Sequence, residues 1–361
     1  RTDYNRCSIV SIFSTALSDQ DMNYYPFIKP LLFKLDAEVS HYLTLKGLKI
    51  SHIAGLDKLL NPAMIAKPVT VMGLEFSNPV GLAAGLDKNG DYIDALATLG
   101  FGSLEIGTVT PRPQPGNSKQ RLFRLAEHRA IINRMGFNNY GVDYLLEQVN
   151  KSKYQGVIGI NIGKNFDTPI DKATKDYLIC LRKAYLAASY ITINISSPNT
   201  KNLRQLQQGD EIKRLLFALK EEQIKLEKQY NKYTPIVVKI APDLSDEEIQ
   251  YIAGLLIDFS IDGVIATNTT LERKAVQGHL FADEMGGLSG APLKQKSTYV
   301  VARLSDALKG KLPIIAVGGI LSYADAQEKL DAGASLVQLY SGLIYKGPLL
   351  VDEIMRGLTA K

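Results

Sequence analysis

The residues best placed to do chemistry lie in the stretch 190–200, YITINISSPNT. Ile191, Ile193 and Ile195 alternate with Thr192 and Asn194, as in a strand. The apolar pattern then stops at Ser196, Ser197, Pro198, Asn199 and Thr200, where a proline fixes the backbone among small hydroxyl and amide groups. A strand running into an ordinary Ser/Pro/Asn turn would read the same way. Recurrence separates the two readings. Apolar strand-like runs appear at 79–84, 103–107, 157–162, 191–195, 236–240, 263–267, 314–317 and 336–339.

The first run leads to Ala84, Gly85, Asp87, Lys88 and Asn89, and the second to Thr108. The third carries Asn161, and the fourth ends in Asn194 with Ser197 and Asn199 beyond. The fifth carries Lys239, and the sixth runs into Thr267, Asn268 and Thr269. The seventh leads to Gly318-Gly319, and the eighth to Tyr340, Ser341 and Gly342. Polar groups at buried strand ends cost free energy unless they are bonded. Together they describe a pocket of neutral donors and acceptors with two lysines. The two glycine pairs lie where barrels of alternating strands and helices commonly hold a phosphate, after strands seven and eight. Gly286 to Gly290, GGLSG, could add a third lip. The residues show no metal site, because His41, His52, His128 and His279 have no ligand spacing. No histidine lies at a strand end, so a Ser-His-Asp triad has no support.

Helical patterns separate the runs, at 91–99, 171–188, 210–230, 246–258, 293–308 and 323–332, with Asp91, Asp210, Ser245 and Ser322 as expected N-caps. Eight strands alternating with helices predict an α/β fold, a (β/α)8 TIM barrel. The alternative is a doubly wound open sheet, but LAAGLDKNG is not the G-x-G-x-x-G that such a sheet would want after its first strand. The segment 110–139 is long, polar and broken by Pro and Gly, and reads as an insertion over the barrel top.

Residues 24–60 are helical in pattern. Ile28, Leu31, Leu32, Leu35, Val39 and Leu43 form one stripe, and Leu48, Ile53, Leu56, Leu59 and Leu60 a second, shorter helix. Either these helices pack on the core or they face a membrane or a lipophilic ligand. The expected division is a loose extension at 1–21 with Met22 as the natural start, a helical N-terminal extension at 22–66, and the barrel at 67–361.

The totals agree. The chain has 361 residues, 45% hydrophobic and 22% charged, enough for a large core. The net charge of +5 suits an anionic membrane or ligand, whereas no Lys/Arg cluster interleaved with aromatics points to nucleic acid. Cys7 and Cys180 make no disulfide framework, which suits a reducing compartment. No apolar run reaches the length of a spanning helix.

As a set, LAAGLDKNG, EIGTVTPRPQPGN, INRMGFNN, GINIGKN, INISSPNT, VKIAPDL, IATNTT, GGLSG, VGGI and YSG resemble the class 2, quinone-dependent, membrane-associated dihydroorotate dehydrogenases in their bacterial form. The resemblance runs from about residue 24 to the end. It implies an FMN flavoprotein that oxidises dihydroorotate to orotate in pyrimidine biosynthesis and passes the electrons to ubiquinone or menaquinone. It places Ala84, Gly85, Lys88, Thr108, Asn161, Asn194, Lys239, Thr267, Gly290, Gly319, Tyr340 and Ser341 against FMN. Orotate would be held by Lys88, Asn133, Asn194, Asn199, Asn268 and Thr269, with backbone help from Arg134, Met135, Gly136 and Phe137. Ser197 would be the catalytic base, where the soluble class has cysteine. Arg124 and Tyr340 would lie near the quinone. The resemblance also implies peripheral attachment to the cytoplasmic face of the bacterial inner membrane. A soluble relative using fumarate or NAD is the alternative, and Ser197 and the N-terminal helices argue against it.

Overall fold

The structure, a computed structural model, describes residues 24–56 and 65–360. The expectations for residues 1–21, Cys7, Met22, Leu59 and Leu60 lie outside the described residues.

Eight parallel strands close into a barrel. They are β3 (Val80–Leu82), β4 (Ser103–Val109), β7 (Val157–Ile162), β8 (Tyr190–Asn194), β9 (Ile236–Ile240), β10 (Gly263–Ala266), β12 (Ile314–Val317) and β13 (Leu336–Leu339). All eight are buried along their whole length, which is why their text is an almost unbroken apolar run. The surrounding helices include α3 (Ile93–Ala97), α4 (Val142–Lys151), α5 (Ala173–Ala184), α6 (Gly209–Tyr230), α7 (Asp246–Asp258), α8 (Lys294–Leu308), α9 (Tyr323–Asp331), α10 (Ser341–Lys346) and α11 (Leu349–Thr359). Ser245 caps α7 in a reciprocal capping box, and Ser322 caps α9, as expected. Asp91 and Asp210 cap nothing. The Asp91 carboxylate instead accepts from the Tyr144 hydroxyl at 2.7 Å, and α6 begins one residue before Asp210.

Two sheets escape the sequence pattern. A hairpin of β1 (Val69–Val71) and β2 (Leu74–Phe76) turns at Met72-Gly73, both with positive φ, as a tight two-residue turn requires. Val71 and Phe76 pack on the inward residues Val157, Val237, Ile265 and Ile315, so the hairpin plugs one end of the barrel. The insertion at 110–139 is not a plain loop. Its β5 (Leu122–Leu125) and β6 (Ala130–Asn133) pair antiparallel, and β11 (Gly287–Gly290) adds the third strand on β6. The expected glycine lip at 286–290 is therefore mostly strand.

The N-terminal stripe is broken in two. Helix α1 (Tyr25–Lys34) stops at an extended Leu35, and α2 (Ala37–Ile53) starts from Asp36, whose carboxylate accepts from Glu38 and Val39 N–H at 2.9 and 3.0 Å. Ile28 to Leu43 is thus not one helix, and of the expected second helix Leu48 and Ile53 lie on α2, which ends at Ile53, while Leu56 is outside it. An aspartate that caps strongly decides the break. No residue of α1 is buried. The Tyr25 hydroxyl donates to the Ile344 carbonyl at 2.5 Å, and Phe33 meets Tyr345 edge-on at 5.5 Å. Arg124 donates to the carbonyls of Leu32, Phe33 and Leu35 at the end of α1. Helix α2 is held by Glu38, which accepts from Arg121 at 2.7 and 3.2 Å.

The Arg121 hydrogen bond holds the Glu38 carboxyl below the usual glutamate range. The stability it supplies is full above that range and is lost as pH falls through the lowered value. Acid should therefore loosen α2 from the barrel. Glu38→Gln should show proteolytic nicking of α2 already at neutral pH, with little further acid sensitivity. An unchanged acid profile in the variant would refute this.

Candidate functional site

The strand ends and their loops line one cavity, which opens to solvent. Its wall includes Ala84, Gly85, Lys88, Thr108, Asn133, Met135, Gly136, Phe137, Asn194, Ser197, Asn199, Lys239, Thr267, Asn268, Thr269, Gly290, Gly319, Tyr340 and Ser341. Residues separated by most of the chain are thus brought together by barrel closure.

Three expected residues lie off this wall. Asn161 is wholly buried beneath it, accepting from Thr108 at 2.6 Å and donating to Glu105 at 2.8 Å. Arg134 turns away to Glu284 at 2.5 Å, and its backbone N–H and carbonyl are bonded to Arg121 and Asn117. Its neighbours Met135, Gly136 and Phe137 do line the cavity. Arg124 caps α1 and lies over the Phe33 ring at 4.7 Å.

One side of the cavity is amide-rich. Asn194 donates to Thr108 at 3.0 Å and accepts from the Ser196 N–H and hydroxyl at 3.2 and 3.0 Å. Asn268 donates to the Ser196 hydroxyl at 2.9 Å, and Asn199 donates to Asn133 at 3.2 Å. The Ser197 hydroxyl oxygen accepts from the Asn199 N–H at 3.2 Å. The Thr269 hydroxyl is buried without a partner, as is the Gln338 side-chain carbonyl, and both residues line the cavity. Unpartnered polar atoms facing a cavity call for a polar ligand.

The opposite side is small and neutral. Ser289, Gly290, Gly318, Gly319, Ser341 and Gly342 meet there, with the Ser289 and Ser341 hydroxyls 2.8 Å apart. Gly318 and Gly319 have φ of 121° and 73°. A Cβ on Gly319 would lie 2.3 Å from the Lys294 Cα, so only glycine permits this turn against α8.

The charges are few and buried. Lys88 donates to the Gly85 carbonyl at 2.8 Å, and burial pushes its ammonium down to about 8. Burial also lowers Lys239, and nearby Glu105 opposes that shift. Burial pushes the Tyr340 phenol up to about 12, so it stays neutral. Glu105 itself is fully buried and accepts from Asn161, Tyr190 and Gln338. Sequence reasoning missed Glu105 and Gln338. A lone polar residue inside each apolar strand, SLEIG and LVQL, was the available signal.

Residues 67–361 match the family model described as "Dihydroorotate dehydrogenase". A protein of Chromobacterium violaceum named dihydroorotate dehydrogenase (quinone) is 64% identical over 332 residues, covering 92% of this chain and 96% of the relative. One of the same name from Methylobacillus flagellatus is 60% identical over 334 residues, covering 92% and 99%. The crystal structure of DHODH from Eimeria tenella in complex with ferulenol superposes with a TM-score of 0.81 at 38% identity, over 89% of this chain and 90% of that one.

The Lys88 ammonium faces the cavity and titrates near neutrality. An anion held by it should be released as pH rises through about 8, because only the charged lysine attracts it. With orotate as the probe, the dissociation constant measured calorimetrically should climb about tenfold per pH unit above that point. A flat profile up to about pH 9 would show that Lys88 does not hold the anion.

Proposed function

The chain belongs to the dihydroorotate dehydrogenase family, and we propose that this cavity is its catalytic site, with Ser197 as the base. The enzyme oxidises dihydroorotate to orotate in pyrimidine biosynthesis, with FMN as cofactor and a quinone as electron acceptor. One observation carries the site assignment. Ser197, Lys88 and the four asparagines Asn133, Asn194, Asn199 and Asn268 line the same cavity as the glycines and serines at 289–290, 318–319 and 341–342.

The residues fit FMN. The wall formed by Gly290, Gly319, Ser341 and Gly342 offers backbone and hydroxyl groups to a phosphate. The unpartnered Gln338 carbonyl and the Lys239 ammonium offer an acceptor and a cation to a ring with polar edges. When bound, FMN would supply a hydride acceptor for dihydroorotate and a two-electron donor for the quinone.

The chain's own groups do the rest. Lys88 pairs with the substrate carboxylate, and Asn133, Asn194, Asn199 and Asn268 present donors and acceptors to the planar ring. The Ser197 oxygen takes the C5 proton as its own hydroxyl hydrogen leaves to water. A serine is a weak base, so its orientation and its burial must assist it. Lys239 would set positive charge beside the ring of a bound flavin.

The acceptor side rests on α1 and α2. No described helix is long and apolar enough to cross a membrane. Yet Phe27 is 79% exposed, Leu31 65%, Ile50 66% and Ile53 75%, with Lys29, Lys34, Lys46 and Lys49 on the same two helices. Apolar side chains beside lysines suit a helix pair lying in the headgroup region of an anionic bilayer. In this reading the protein is peripheral, on the cytoplasmic face of the bacterial inner membrane, and the helices deliver the quinone.

Ser197→Ala should keep its FMN yet be reduced by dihydroorotate roughly 10²–10⁴-fold more slowly under anaerobic stopped flow. Near-normal reduction would remove Ser197 from the mechanism. Replacing Phe27, Leu31, Ile50 and Ile53 together by serine should leave that reduction intact. Binding to vesicles of anionic lipid and turnover with a long-tailed quinone should both fall sharply. Unchanged vesicle binding and quinone turnover would refute the membrane role.

A further inference from the structure

Arg204 lies outside the cavity, in a 3-10 turn at Leu203–Gln207 that follows the serine loop. Its guanidinium nevertheless reaches three strand-end loops at once. Nε donates to the Ser196 carbonyl at 3.0 Å, after β8. One Nη donates to the Asp243 carboxylate at 2.9 Å, after β9. The other donates to the Thr269 carbonyl at 2.8 Å, after β10. A planar fork with fixed donor directions can meet three such acceptors, and a lysine ammonium cannot reproduce that set.

The anchor behind Arg204 is well built. Asp243 also accepts from Lys296 at 2.8 Å, from the Leu271 N–H at 2.9 Å and from the Thr270 hydroxyl. Burial alone would raise the Asp243 carboxyl, but these bonds outweigh it and keep the group ionised. Lys296 is paired in turn with Glu272 at 2.9 Å.

Ser196 and Ser197 are held very differently. Ser196 is bonded at its N–H, its hydroxyl and its carbonyl. Among the described residues the Ser197 hydroxyl has a single hydrogen bond, from the Asn199 N–H. Its direction is therefore inherited from the backbone. The peptide plane that carries the Ser196 carbonyl also carries the Ser197 nitrogen, and Arg204 pins that plane. The same guanidinium pins the carbonyl of Thr269, a residue that lines the cavity.

We propose that Arg204, braced by Asp243, is a positioning residue that fixes the Ser197 oxygen relative to the substrate-holding loop at Asn268 and Thr269. This rests on Ser197 being the base. A misplacement of about 1 Å in a reacting group can cost on the order of 10²-fold in rate, so a clamp far from the chemistry can govern it.

The test uses the holoenzyme. Arg204→Lys should keep full FMN content and normal reoxidation of the reduced flavin by quinone. Its anaerobic reduction at saturating dihydroorotate should fall by ~10–100-fold. Asp243→Asn, which leaves the arginine in place, should fall in the same direction by less, and guards against a variant that does not fold. In the Ser197→Ala background, Arg204→Lys should add little, because both changes spoil one contact. Near-normal reduction in Arg204→Lys alone would overturn the clamp and leave the base standing. Equal loss of FMN content and reoxidation would make Arg204 merely structural. Losses that multiply in full with Ser197→Ala would separate Arg204 from the serine. Near-normal reduction in Ser197→Ala alone would instead remove the base, and the clamp with it.

Discussion

The side-chain amide of Asn194 donates to Thr108 and Asn161 and accepts from Ser196 and Asn268, so one planar group ties together the ends of β4, β7, β8 and the loop after β10. Deeper in the barrel β4, β7 and β8 meet again at Glu105, which accepts from Asn161, Tyr190 and Gln338. Closing a barrel fixes each strand against its neighbours but leaves the loops beyond them free to fan outward. Asn194 spends both donor hydrogens and both acceptor directions against that fan. Aspartate has no hydrogens to donate there, and leucine would strand four partners in a buried site. The cavity's shape follows from this one residue more than from any loop.

The second constraint is electrostatic. Two ammonium groups, Lys88 and Lys239, are kept out of water, and burial lowers both. Among the described residues the carboxyl group that acts on Lys239 is Glu105, which accepts from three neutral donors rather than forming a direct ion pair. The pocket thus holds positive charge that its own walls do not fully neutralise. Such an arrangement is costly in the empty protein and favourable for anionic guests. A carboxylated pyrimidine and a phosphate-bearing cofactor that gathers electrons are guests of that kind.

Much of this was legible in the sequence, for a physical reason. Strands buried on both faces read as apolar runs, and a lysine or asparagine inside such a run, as with Lys239 and Asn161, cannot be ordinary surface. The two small sheets were not legible. Val69–Val71 and Leu74–Phe76 are only three residues each, and the β5–β6 pair is interrupted by charged residues, so neither gives a usable period. The break at Asp36 was hidden because apolar spacing continues across it. Arg204 was invisible for a different reason. Its work is done through backbone carbonyls of loops that only the closed barrel brings together, and an arginine in a polar turn is indistinguishable in sequence from a solvated one.

The manner in which α1 and α2 are attached bears on how the two half-reactions are divided. Helix α1 buries no residue and is held by Tyr25, Phe33 and the Arg124 cap. Helix α2 buries only Ala37, Ser40 and Leu45 and leans on the Glu38–Arg121 pair. A helix pair that existed to complete the barrel core would invert this pattern, with its large side chains inward. Here Phe27, Leu31, Ile50 and Ile53 face outward while small or polar groups make the joint. Only Leu45, with Leu48 beside it, joins the barrel's main core, and no α1 or α2 residue lines the cavity, so most of the pair's large apolar side chains form a surface of their own. An apolar surface beside lysines is what the proposed bilayer contact would cover, and that contact would accordingly put the second half-reaction at the helix pair rather than at the substrate wall.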